Sequence, residues 1–123
     1  MLKNMIIKEK IKDIYTSFYS PDYPSQFFFK SMLHHVISLE IYKSNYESGI
    51  SFEMICSKIP NSIGSRSSIQ SILNDALNKN IFIKKQSNKD KRVKKFYLSD
   101  IYLNIINTWI TKEKIYFSSF NGR

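Results

Sequence analysis

Residues 81–98, IFIKKQSNKDKRVKKFYL, leave the chain few ways to fold: two short β-prone apolar runs enclose a stretch, residues 84–95, that carries all of the segment's charge. Ile81 and Ile83 on one side, and Val93, Phe96 and Leu98 on the other, read as the two strands of a hairpin with residues 86–91 as its tip. In the second run Phe96 and Leu98 share one face and Tyr97 takes the other. The hairpin directly follows a segment with helical periodicity, so the expected unit is a helix followed by a basic hairpin.

Charge is concentrated in the same region. Residues 58–95 contain ten basic side chains (Lys58, Arg66, Lys79, Lys84, Lys85, Lys89, Lys91, Arg92, Lys94 and Lys95) against Asp75 and Asp90, and so hold about +8 of the net +9. A chain uniformly enriched in lysine would not segregate its charge this way. A localised basic cluster displaces counterions from a polyanion, and each neutralised phosphate adds a salt-sensitive increment to binding.

The flanking segments supply helices. In residues 8–19 Ile11, Ile14, Tyr15 and Phe18 fall on one face, and the helix stops at the Ser20-Pro21-Asp22-Tyr23-Pro24 breaker. Ser25 is the expected cap of a second helix reaching Tyr46, whose Phe28, Phe29, Met32, Leu33, Val36, Ile37, Leu39 and Ile41 leave little polar surface. After Gly49, Ser51 caps a short helix with Phe52, Ile55, Cys56 and Ile59 on one stripe, ended by Pro60 and the PNSIG turn. Ser65 then caps a helix whose Ile69, Ile72, Leu73, Ala76 and Leu77 face inward, while Arg66, Ser67, Gln70, Ser71 and Asn74 lie opposite. These short or amide-bearing groups suit hydrogen bonds to phosphates and base edges. Ser99 or Asp100 opens a last helix burying Ile101, Ile105, Ile106, Trp109 and Ile110, with SSFNGR as a frayed tail.

At 123 residues the chain is expected to form one compact unit: N-terminal helices over 1–48 for core support and dimerisation, a helix-turn-helix with its hairpin over 49–99, and a C-terminal helix and tail over 100–123. The fold class is mainly α with a small β-hairpin. Cys56 has no partner for a disulfide, and His34 and His35 do not share metal-ligand spacing with it, so neither a metal nor another cofactor is expected. There is no glycine-rich phosphate loop and no nucleophile with its base, which argues against an enzyme. The opening MLKNMIIKEK has too brief an apolar run for a secretory leader, and no stretch of eighteen apolar residues occurs. A cytoplasmic protein without membrane contact is expected.

The order helix, helix, turn, serine-capped helix, hairpin with an Asp-x-Arg tip, helix resembles the MarR family of bacterial transcription regulators. The residues that carry the likeness are SRSSIQSILNDALNKN, as recognition helix, and FIKKQSNKDKRVKKFYLSD, as wing, with Asp90 and Arg92 on the family's Asp-x-Arg pair. The match spans residues 51–100. The resemblance implies a winged helix-turn-helix regulator that binds double-stranded DNA sequence-specifically as a homodimer held by its terminal helices. It implies that the helix capped by Ser65 enters the major groove, with Arg66, Ser67, Ser68, Gln70 and Ser71 nearest the DNA and Asn74 one turn further on. Arg92, oriented by Asp90, would reach the minor groove, and Lys89, Lys91 and Lys94 the phosphates. Many members also answer to a small aromatic effector; the residues here do not name one. Two features depart from the family pattern: there is room for one helix after the wing instead of two, and the PNSIG turn is long. Cys56 does not occupy the position of the family's oxidant-sensing cysteines. The alternative is a winged helix used for protein–protein interaction, with Phe27, Phe28, Tyr42 and Tyr46 forming an exposed patch.

Overall fold

In the computed structural model, which describes residues 2–19 and 23–121, serine side chains open four of the helices. Ser31, Ser51, Ser65 and Ser99 each accept the backbone N–H three residues on, from His34, Met54, Ser68 and Tyr102. The element order is α1 (Leu2–Tyr19), α2 (Tyr23–Phe29), α3 (Met32–Asn45), α4 (Phe52–Lys58), α5 (Arg66–Asn78), β1 (Phe82–Gln86), β2 (Lys94–Leu98) and α6 (Asp100–Asn121). No described helix is long and apolar enough to cross a membrane.

Several expected boundaries move. The first helix begins at Leu2, six residues before the expected segment 8–19, and Ser20, Pro21 and Asp22 lie outside the described residues. The long second helix is two. Ser31 is extended (φ −158°, ψ 166°) and caps α3, so the chain breaks between Phe29 and Met32, and Ser25 lies inside α2 instead of capping it. The break lets α2 take its own direction, which buries both Phe27 and Phe28 completely although they are adjacent in sequence. The segment expected to fray is helical through Asn121.

The core gathers Phe27 and Phe28, Leu33, Ile37 and Ile41, Ile55, Ile69, Leu73 and Ala76, Phe82, Phe96 and Leu98, and Tyr102 and Ile106 from α2 to α6 and both strands, and Ile6 of α1 is buried as well. Tyr102, absent from the stripe read in the sequence, is the largest side chain fully buried, whereas Ile101 is exposed. Burial of the phenol is made affordable by Ser38: the two hydroxyls are 2.7 Å apart, and Ser38 Oγ donates to the His34 carbonyl at 2.8 Å. Burial raises the Tyr102 pKa well beyond an ordinary phenol, so this link is neutral at all physiological pH.

β1 and β2 pair antiparallel from Phe82↔Leu98 to Gln86↔Lys94. Ile50 adds a bridge to Phe96, and Asn45 Oδ1 accepts the Leu98 N–H at 2.7 Å, so the base of the hairpin is held by the end of α3. Between these two anchors Gly49 adopts a left-handed backbone (φ 72°), and a Cβ there would fall 2.5 Å from Tyr97 Cζ. Tyr97 is fixed in turn by donating its hydroxyl hydrogen to the Ser48 carbonyl at 3.0 Å. Gly49→Ala should therefore cost about 2 kcal/mol, combining backbone strain with the clash. A urea unfolding midpoint equal to that of the wild type would show that the turn relaxes around the methyl group.

Candidate nucleic-acid interface

The polar face of α5 follows from its buried one. Ile69, Leu73 and Ala76 are buried with Ile72 and Leu77 half-buried beside them, as their spacing predicts, and this turns Arg66, Ser67, Ser68, Ser71 and Asn74 to solvent, with Gln70 half-buried among them. The Ser65 cap is part of a hydroxyl cluster with Ser67 and Ser68, at 3.3 and 3.0 Å. Gln70 Nε2 donates to Asn74 Oδ1 at 3.1 Å, so the two amides present a joined edge.

One contact on this face was not legible in the sequence. Both terminal nitrogens of Arg66 donate to the Glu53 carboxylate, Nη1 to Oε1 at 2.9 Å and Nη2 to Oε2, and the guanidinium stands over the Phe52 ring, 4.7 Å from its centre. The pair lowers the Glu53 pKa and raises that of Arg66, in both cases chiefly through these hydrogen bonds. Thirteen residues separate the partners, so only the packing of α4 against α5 brings them together.

The end of α5 sets up the wing. Asn80 is left-handed (φ 59°); its N–H donates to the Leu77 carbonyl at 3.2 Å and the Ile81 N–H to that of Ala76 at 2.8 Å. This is the Schellman arrangement, with buried Ile81 against buried Ala76. It delivers Phe82, not Ile83, to the core. Ile83 pairs with Tyr97 on the outer face and is exposed, which corrects the alternation read from the sequence. Gln86 belongs to β1 and the tip is residues 87–93, with Val93 in the turn and not in a strand.

Within that tip the Ser87 N–H donates to the Val93 carbonyl at 2.8 Å and the Val93 N–H to that of Asp90 at 3.0 Å. Asp90 Oδ1 accepts both the backbone N–H and the Nε–H of Arg92, at 3.0 and 3.2 Å, while Nη2 donates to Oδ2 at 3.2 Å. Asp90 is thus turn former and arginine clamp at once. These bonds to Arg92 hold its carboxyl below the usual range. Arg92 still projects, with 90% of its side chain exposed. Lys89, Lys91 and Lys94 are exposed beside it. The structure therefore assembles two exposed clusters, one from the Ser65 cap along α5 to Asn74 and one from Lys89 to Lys94 on the wing, joined by the hydrogen-bonded corner at Asn80.

Cys56 is half-buried in α4; burial raises its thiol pKa, and the Arg66 charge offsets part of that. Phe27 and Phe28 are fully buried and half-buried Tyr42 donates to Asn107 Oδ1 at 2.6 Å, so only Tyr46 of the four aromatics expected in an interaction patch is exposed.

A cavity of about 560 Å³ opens between α1, α2, α3 and α6. Phe28, Phe29, His35 and Trp109 form its aromatic walls, with Phe28 and His35 edge-on to Trp109 at 5.0 and 5.5 Å. Its rim carries two ion pairs from α1 to α6, Lys10 with Glu113 and Asp13 with Lys112, and Asp13 also accepts from the Tyr116 hydroxyl at 2.9 Å. That hydrogen bond to Asp13 pushes the Tyr116 pKa up to about 12. Four helices contribute to this cavity, and no local motif in the sequence announces it.

No protein-family model matches the chain, and no curated protein matches it in sequence. Solved structures do resemble it. Staphylococcus aureus MepR bound to ethidium bromide is similar at a TM-score of 0.69 and 12% identity, over 97% of this chain and 77% of that one. The MepR–DNA complex gives 0.63 and 14%, over 92% and 82%. Streptococcus pneumoniae FabT in complex with DNA gives 0.55 and 14%, over 98% and 75%. At these identities the likeness is one of fold, and the fold is the MarR-like winged helix-turn-helix.

Proposed function

We propose that a chain with this fold and this charge distribution is a sequence-specific, double-stranded-DNA-binding transcription regulator of MarR type, non-enzymatic and cytoplasmic. The observation that carries the reading is the pair of exposed clusters, one short-chained and polar on α5, one cationic on the wing, within a fold shared with proteins solved on DNA. In this reading Ser65, Arg66, Ser67, Ser68, Gln70, Ser71 and Asn74 face the major groove, and Lys89, Lys91 and Lys94 neutralise phosphates. Arg92, clamped by Asp90, enters the minor groove, where a weakly hydrated planar cation suits the narrow A·T-rich geometry. The protein-interaction alternative loses the aromatic patch it needs, because Phe27 and Phe28 are core residues.

A second copy is part of the proposal. Ile7, Ile11, Ile14 and Tyr15 form a stripe on α1 that stays 43–63% exposed in the single chain. The side chain of Phe18, expected on this stripe, lies outside the described residues. A face of this length and polarity is accounted for by a homodimer, which would read half-sites about one DNA turn apart. The aromatic-walled cavity supports a flat aromatic effector of the kind MepR was solved with.

Selection from a random duplex pool, followed by anisotropy titrations at several salt concentrations, tests the reading. The expected result is one enriched, two-fold symmetric sequence, bound by a species of twice the 14.5 kDa chain mass, with log affinity falling by about 0.9 per phosphate contacted for each decade of salt. Absence of binding even at low salt would turn the assignment to the protein-interaction module.

A further inference from the structure

The Arg66–Glu53 pair has a chemistry that the DNA-binding reading does not use. Ser51 places Glu53 in the first turn of α4, and Ser65 places Arg66 at the first position of α5. The carboxylate meets both terminal nitrogens of the guanidinium, and the Phe52 ring supports one of its faces. Both side chains are largely exposed, 59% for Arg66 and 70% for Glu53, so the pair sits at the surface where α5 would meet DNA. It contributes little to holding the fold together. Its weight lies in what it occupies: the edge that grips Glu53 is the edge with which arginine grips two phosphate oxygens or the O6 and N7 of guanine.

Resting on the DNA-binding reading, we propose that Glu53 is a specificity-determining residue that withholds Arg66 from the phosphate backbone and releases it only to a G·C base pair. On random DNA, Arg66 would exchange one bidentate anion for another and leave the freed Glu53 carboxylate against a polyanion. The exchange gains little. A G·C pair changes the balance, because guanine offers two acceptors to the arginine fork and cytosine offers an amino donor that a carboxylate accepts. The restraint of Arg66 therefore raises discrimination by suppressing non-specific binding. Glu53 remains ionised throughout the neutral range, since the Arg66 hydrogen bonds lower its pKa.

The test compares wild type, Glu53→Gln, Arg66→Ala and the double variant on a random duplex and on the duplex selected by the wild type. Glu53→Gln should bind the random duplex about tenfold more tightly at 0.1 M salt, with a salt slope steeper by about 0.9, the signature of one added phosphate contact. Affinity for the selected duplex should change by about twofold or less, so the ratio between the two falls severalfold, and a repeat selection with the variant should lose one G·C position per half-site. In the Arg66→Ala background the same substitution should do nothing. An equal gain in that background would reduce Glu53 to a generic negative charge and overturn the proposal, as would an unchanged random-duplex affinity. Wild-type protein that binds no duplex in a salt-sensitive manner would instead remove the DNA-binding reading and this proposal with it. Thermal melts of all four proteins should coincide within a few degrees, separating a binding effect from a folding one.

Discussion

Replacing Lys89, Lys91, Arg92 and Lys94 together with glutamine should weaken duplex binding on the order of a thousandfold at 0.1 M monovalent salt, and should flatten the dependence of log affinity on log salt by about three to four. Each lost cation removes one counterion-releasing contact, and the four act on one polyanion, so their effects combine. The wing should survive the change. Asp90 Oδ1 accepts the backbone N–H of residue 92 whatever side chain stands there, the hydrogen bonds between Ser87, Val93 and Asp90 are all main-chain, and the base of the hairpin is anchored by Asn45 and Ile50. Circular dichroism and melting temperature should therefore match the wild type while binding is lost. Restoring Arg92 alone should recover preference for A·T-rich flanks ahead of overall affinity, because a minor-groove contact reads groove width and a phosphate contact does not. A quadruple variant with an unchanged salt slope would remove the wing from the interface.

The largest effect on stability is expected at Phe27. Its ring is fully buried and stands edge-to-face with His34 at 4.8 Å, Phe82 at 5.4 Å and Tyr102 at 5.8 Å, so one side chain ties α2 to α3, to the first strand of the wing and to α6. Phe27→Ala removes that apolar area and leaves a cavity that three separately anchored rings cannot collapse into, for a loss of about 3–5 kcal/mol. For a domain whose whole stability is about 5–15 kcal/mol, the urea midpoint should fall by roughly 2 M, and with it the fraction folded at 37 °C. Tyr46→Ala, at an exposed aromatic, should move the midpoint by about 0.5 kcal/mol or less in equivalent stability. A loss below about 1 kcal/mol for Phe27→Ala would mean that α2 is not docked as described.

The wing cluster and Phe27 mark the border between what was legible in the sequence and what was not. Segments with a short period and a local stop signal were readable: Ser51 and Ser65 cap the helices expected of them, the stripe Ile69, Leu73, Ala76 is buried, Phe96 and Leu98 share a face opposite Tyr97, and Asp90 and Arg92 pair across two residues. All of these rest on interactions within a few positions along the chain. The helix break at Ser31 was hidden because no proline or glycine marks it, and a run as apolar as residues 28–41 gives no polar face from which to judge direction. Ile83 was misassigned because strand phase is inherited from the left-handed turn at Asn80, not from the apolar pattern of the strand itself.

By itself, then, the sequence determined the winged helix-turn-helix order, the segregation of charge to residues 58–95 and the residues α5 turns to solvent, since periodicity, capping and charge are properties of neighbours in the chain. Only the tertiary structure decided which aromatics are core, that Tyr102 is buried on Ser38, that Arg66 is held by Glu53, and that α1, α2, α3 and α6 together line an aromatic cavity. Each of those depends on side chains brought together from separate elements, and their distances are set by how the elements pack, which no local pattern encodes.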